Sequence, residues 1–132
     1  MSERGSVLLQ PSEWRIMDGL WRDGPLTIVG LWHRLEGETG WSKSTVNTLL
    51  GRMLEKGLVR YEEGRKAREY YPAVAREEAA LAETRSLLHR VYRGSVGMLL
   101  NTLVEQDQLT SAEIEELYGI LRRAEHRGEE QP

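Results

Sequence analysis

The side chains most able to recognise another molecule cluster between Ser42 and Arg52, in the segment SKSTVNTLLGR. At about 100° per residue, Val46, Leu49, Leu50, Met53 and Leu54 fall on one face of a helix. Ser44, Thr48, Gly51 and Glu55 fall opposite, flanked by Thr45 and Arg52 on one side and Asn47 on the other. One face is suited to packing, the other to hydrogen bonding. The DNA major groove admits a single α-helix, and its bases are read by short polar side chains or by Arg and Lys. Lys43, Ser44, Thr45, Asn47, Thr48 and Arg52 are that kind of set. The positive end of the helix, with the hydroxyls of Ser42 and Ser44, suits a phosphate. Taken singly, each residue is an ordinary exposed polar side chain; as a set they point to duplex DNA.

A second basic group follows at once. Arg65 and Lys66 sit at the tip of an expected hairpin, with Arg68 just behind, where cations can meet phosphates or an adjacent minor groove. Glu62 and Glu63 are badly placed for such contact and are expected to point away. Lys56 and Arg60 face either the backbone of a nucleic acid or plain solvent. The overall charge of −3 hides an asymmetry: residues 40–68 hold seven Lys/Arg against three acids, whereas residues 73–132 hold seven against eleven. This suggests a basic working surface and an acidic second half.

The elements that must position these residues are legible in outline. Pro11-Ser12-Glu13 reads as a helix start with Ser12 as cap, followed by Trp14, Ile16, Met17, Leu20 and Trp21, and stopped by Asp23-Gly24-Pro25. Leu26-Thr27 is a short extended stretch, and Thr27 caps a second helix bearing Ile28, Leu31, Trp32 and Leu35. Ser42 opens the third helix and Gly57 closes it. Residues 58–61 and 67–71 around a glycine-containing turn read as a β-hairpin. Three helices followed by a hairpin give the winged-helix order. Trp14, Trp21 and Trp32 read as core, and Trp41 as a hydrophobic staple near Val46.

After Pro72 the composition turns to helix formers. Three short striped helices are expected, over 75–93, 95–105 and from a Thr110–Glu113 capping box onward. Their stripes are Leu81, Leu87, Leu88, Val91 and Tyr92; then Val96, Leu99, Leu100, Leu103 and Val104; then Ile114, Leu117, Ile120 and Leu121. They are too short to bury a separate core, so a second copy of the chain is the expected partner. Leu81, Leu88, Val91, Val96, Leu99, Leu100, Leu103, Ile114, Leu117 and Leu121 are the expected dimer contacts.

The segment GWSKSTVNTLLGRMLEKGLVRYEEGRKAREYYP, the opening SEWRIMDGLW and the later ETRSLLHRVYRGSVGMLLNTLVEQDQLTSAEIEELYGILR resemble the penicillinase-repressor family of winged-helix proteins (BlaI/MecI/CopY type). The resemblance runs from about Ser12 to Arg123. It implies a homodimeric transcriptional repressor whose N-terminal winged helix binds an inverted-repeat operator, and whose C-terminal helices interlock. It further implies control of β-lactamase, other resistance or copper-homeostasis genes. Family members in antibiotic response are released when a membrane sensor-protease cuts an Asn-Phe bond; the matching pair here is Asn101-Thr102, with Thr in place of Phe. The copper branch relies on a C-terminal cysteine cluster, and this chain has no cysteine.

The expected architecture is therefore mainly α with a small β wing. It comprises a flexible stretch (1–11), a winged helix-turn-helix (12–72), a helical dimerisation region (73–127) and a disordered tail (128–132). No apolar run could span a bilayer, and the N-terminus lacks a signal-peptide core, so a cytoplasmic location is expected. The widely separated His33, His89 and His126 offer no metal-ligand spacing, and there is no glycine-rich phosphate loop, so neither an enzyme nor a cofactor is expected. Two other readings stay open: a winged-helix regulator answering a small molecule, and a winged helix used for protein–protein contact.

Overall fold

The computed structural model describes residues 8–130. The chain divides into two compact units, the first ending at Ser86 and the second beginning at Leu87. In order, the elements are α1 (Pro11–Asp23), α2 (Ile28–Thr39), α3 (Lys43–Lys56), β1 (Val59–Glu63), β2 (Arg68–Pro72), α4 (Arg76–Tyr92), α5 (Val96–Glu105) and α6 (Ser111–Glu130). β1 and β2 pair antiparallel, with Tyr61 opposite Tyr70.

In the first unit the apolar stripes of α1, α2 and α3 converge. Ile16, Met17, Leu20, Leu31, Val46, Leu50 and Met53 are closed off from solvent, together with Leu58, Val59 and Tyr70 from the hairpin. All four tryptophans are half-buried against this core. Two of them are also tethered through their ring N–H groups: Trp21 donates to the Val74 carbonyl at 3.0 Å, and Trp32 to the Trp41 carbonyl at 3.1 Å. A buried indole with its N–H satisfied is both apolar mass and a positional pin.

Several expectations need correction. Ser12 does not cap α1. Pro11 occupies the first helical position, where its missing N–H costs nothing, so the extended Gln10 becomes the cap. Glu13 then lies three residues into the helix and accepts the Gln10 backbone N–H at 2.7 Å. The N-terminal unit also begins before residue 12, because Leu9 is buried in the core; residues 1–7 of the expected flexible stretch lie outside the described residues. The first unit extends beyond Pro72 as well, since Val74 and Ala79 complete its core. At the other end α6 continues to Glu130 instead of fraying, with His126 Nδ1 3.7 Å from a Glu129 carboxylate oxygen; residues 131–132 lie outside the described residues. Leu26 adds an unexpected strand contact, exchanging backbone hydrogen bonds with Tyr70 at 3.2 and 2.8 Å.

The second unit has a different character. Among the described side chains, none in α5 or α6 is buried. Ser95 caps α5 by accepting the Met98 N–H, and Thr110 and Glu113 form the expected reciprocal box at the start of α6. Local signals are thus satisfied while the apolar stripes are left half-buried or exposed.

Glu13 is the one buried charged residue among those described, at 3% exposure. Its second oxygen accepts from Lys56 Nζ at 2.7 Å. Lys56 is therefore neither a backbone contact nor a solvating charge; it ties the end of α3 to the start of α1. Removing one partner of a buried pair leaves the other uncompensated. Because the Lys56 side chain remains about a third exposed, Lys56→Ala is expected to cost about 1–3 kcal/mol, the cost of stranding a buried acceptor. Urea unfolding should show a lower midpoint with an unchanged slope, and an unchanged midpoint would contradict the pairing.

Candidate nucleic-acid interface

The third helix forms where its local signals place it. The Ser42 hydroxyl accepts the Thr45 backbone N–H at 3.1 Å, the usual way of meeting an orphan donor at a helix start. Gly57 ends the helix with φ +79°, a conformation that favours glycine. Val46, Leu50 and Met53 are buried, and Leu49 and Leu54 are half-buried. Lys43, Ser44, Thr45, Asn47, Thr48 and Arg52 are all exposed. The two-faced character expected from spacing is realised residue by residue. Gly51 lies on the open face as well, and a Cβ there would meet nothing within 4 Å.

The wing is more structured than its sequence suggests. Its turn is closed by the Gly64 N–H donating to the Ala67 carbonyl at 3.0 Å. A Cβ on Gly64 would stand 2.5 Å from that same oxygen, so the turn accepts only glycine without shifting. Glu62 and Glu63 do not simply point away. Glu62 accepts from Arg60 at 3.0 Å and from the Tyr71 hydroxyl at 3.3 Å, while Glu63 pairs with Arg68 at 3.4 Å. Each arginine also stacks on a tyrosine, Arg60 on Tyr71 and Arg68 on Tyr61, at 4.3 and 4.1 Å from the ring centres. The Tyr71 phenol is pushed above its ordinary pKa, first by desolvation and then by the Glu62 carboxylate. The Arg68 guanidinium is likewise held above its usual value, first through its hydrogen bond to the Tyr70 side chain.

The charges of Arg60 and Arg68 are therefore met inside the hairpin, where they stiffen it. Arg65 and Lys66 at the tip stay exposed and show no ion pair among the described residues. The free cations of the surface are Lys43 and Arg52 on α3 and this pair on the wing.

Sequence reasoning missed the contribution of α2. A cleft of about 420 Å³ is lined by Ile28, Val29, Lys43, Ser44 and Asn47. A second, of about 430 Å³, joins Val29 and Asn47 to Lys66, Ala67 and Arg68. Asn47 and the first turn of α2 thus connect the third helix to the wing. The signal was present in Thr27, whose hydroxyl caps α2 by accepting the Gly30 N–H at 3.0 Å, but nothing local said which helix its first turn would adjoin. Asn101 and Thr102, at the bond matched to the family's cleavage site, are exposed within α5; the Thr102 hydroxyl donates to the Met98 carbonyl at 3.0 Å.

The two glycines make opposite predictions. Gly51→Ala, in open space on a helix, should raise stability by about 0.5–1 kcal/mol. Gly64→Ala should lower it and speed amide exchange across residues 59–72. Equal effects in thermal unfolding and hydrogen exchange would contradict the geometry of the two sites.

Among the described residues no group of His, Cys, Asp or Glu could hold a metal, and no helix is long and apolar enough to cross a membrane. The model of the penicillinase repressor family matches residues 9–123. The chain is 26% identical over 115 residues to the methicillin resistance regulatory protein MecI of Staphylococcus aureus, covering 87% of this chain and 94% of that one. It is 26% identical over 122 residues to the penicillinase repressor of Bacillus licheniformis, covering 92% and 95%. A crystal structure of a mutant MarR from E. coli shares the fold over 88% of this chain and 77% of its own, at 15% identity and a TM-score of 0.50. With its winged helix in place, the chain belongs to the penicillinase repressor family, whose members are DNA-binding transcriptional repressors and not enzymes.

Proposed function

We propose that this repressor acts in the cytoplasm as a homodimer that reads an inverted-repeat operator in front of resistance genes. The observation that carries the DNA-reading part is the outer face of α3, where Lys43, Ser44, Thr45, Asn47, Thr48 and Arg52 are exposed on a helix whose other side is locked in the core. The N-terminal turn, with Ser42 and Ser44, meets a phosphate and sets the register; Asn47, Thr48 and Arg52 face base edges. Arg65 and Lys66 lie along the backbone or the neighbouring minor groove, with Arg68 bracing the wing from behind. The gene class follows the names of the relatives, a methicillin resistance regulator and a penicillinase repressor.

The homodimer is supported by the state of the C-terminal helices. Val91, Val96 and Leu121 are at least half exposed, Ile114 is 41% exposed, and Leu88, Leu99, Leu100, Leu103 and Leu117 are only half-buried. Leu81, on the α4 portion of the first unit, is itself 50% exposed. Apolar stripes on this scale mark an interaction surface. Two copies related by a twofold axis present two α3 helices to successive major grooves, matching an operator with the same symmetry.

Release from DNA follows the family pattern in this reading: a membrane sensor-protease cuts between Asn101 and Thr102. The exposure of both residues supports access, while their place inside α5 requires that the helix unwind locally before the bond is cut. Substituting both residues and assaying operator release in cells with the protease tests this step; undiminished release contradicts the site.

Lys43→Ala and Arg52→Ala should each weaken binding to a retained duplex about 5- to 100-fold without altering the fold, in line with the loss of one good base or phosphate contact. Affinity should fall linearly with salt on a log–log plot, with a shallower slope in Lys66→Ala. Binding that ignores both salt and these substitutions contradicts the assignment. Light scattering at micromolar concentration should give twice the chain mass, and a monomer would contradict the proposed interface.

A further inference from the structure

Val29 stands on the first turn of α2 and is 44% exposed, although valine on a helix of this unit is otherwise free to pack inward as Val46 does. It lines both clefts that meet at Asn47. Ile28 lies beside it in both clefts; Lys43, Ser44 and Asn47 stand on one side, and Lys66 and Arg68, with Ala67 and Tyr70, on the other. A small apolar floor between cationic and hydrogen-bonding walls does not suit a bare phosphate, which would gain nothing from Val29. Nor does it suit an apolar protein surface, which would have to strip water from two lysines. It suits an anionic polymer with small methyl groups along its readable edge. In duplex DNA that group is the C5-methyl of thymine, displayed only in the major groove. Asn47, at the junction of the two clefts, has the donor–acceptor pair that reads adenine at N6 and N7.

We propose that Val29, backed by Ile28, is a methyl receptor that selects a thymine beside the adenine read by Asn47. Specificity at one A·T-rich step of each half-site then comes from α2 as well as from α3. The assignment rests on the DNA-reading function proposed above and extends it to a residue outside the third helix. It also gives a function to the apolar base of the first cleft, which lies beside Lys43, Ser44 and Asn47.

The experiment uses the full-length protein and a duplex that it selects from a random-sequence pool. Each thymidine is then replaced singly by deoxyuridine, which removes the methyl and nothing else. One position per half-site should lose about fourfold in affinity, the effect of about one buried methyl or methylene group. In Val29→Ser that position should become indifferent to the replacement, and in Val29→Thr, which keeps one methyl, part of the discrimination should return. Circular dichroism and a thermal midpoint confirm that the surface variants remain folded. A flat deoxyuridine series with DNA binding intact overturns the role of Val29 alone. A sensitive position that stays equally sensitive in Val29→Ser overturns it too, by placing the methyl elsewhere on the protein. Failure to retain any duplex overturns the DNA-reading function itself.

Discussion

The burial of Val46, Leu50 and Met53 is the constraint on which the rest depends. These three side chains have essentially no exposed surface, and each contributes about 1.5–3 kcal/mol by leaving water. They fix the rotation of α3 about its own axis. Once that rotation is set, the residues between them have one direction left, which is outward. Lys43, Ser44, Thr45, Asn47, Thr48 and Arg52 are thus oriented by residues that never touch a ligand. The Ser42 cap and Gly57 fix the two ends of the helix, and the Glu13–Lys56 pair fixes its tilt against α1. A helix held at three points has little conformational freedom to lose on binding, and such loss is part of the cost of association.

The wing solves a related problem with charge. Its strands carry Glu62, Glu63 and Glu69, and two of these acids, Glu62 and Glu63, are paired inside the hairpin. Arg60 with Glu62 and Arg68 with Glu63 neutralise each other, and the guanidinium stacking on Tyr71 and Tyr61 adds cation–π attraction. Exposed pairs of this kind add little to global stability. Their effect is local: they leave Arg65 and Lys66 as the net charge at the tip. The basic surface inferred from composition is in fact narrower than the count of basic residues implied.

What the sequence made legible is what short-range rules govern. The period of α3, the Ser42 and Thr27 caps, the Thr110–Glu113 box and the hairpin could all be read because each is decided within a few residues. What stayed hidden depends on pairing across the chain. Glu13 and Lys56 are 43 positions apart, and no local pattern singles either out. The Leu26–Tyr70 bridge and the Trp21–Val74 tether, the latter 53 positions apart, likewise join remote partners. The boundary at Ser86 was missed for the same reason: Val74 and Ala79 look like parts of the next helical region until the core that receives them is seen. The approach of α2 to Asn47 belongs to this class, and it is the part of the candidate surface that sequence reasoning left out.

In the proposed complex, DNA meets the outer face of α3 together with the wing tip and the first turn of α2. The most direct measurement is a residue-resolved map of backbone amide signals by nuclear magnetic resonance as a selected duplex is titrated into the protein. The largest perturbations are expected at residues 42–52, with a second group at 64–67 and a third at 28–29. Perturbations concentrated instead on α1 and α4, with α3 unmoved, would contradict it.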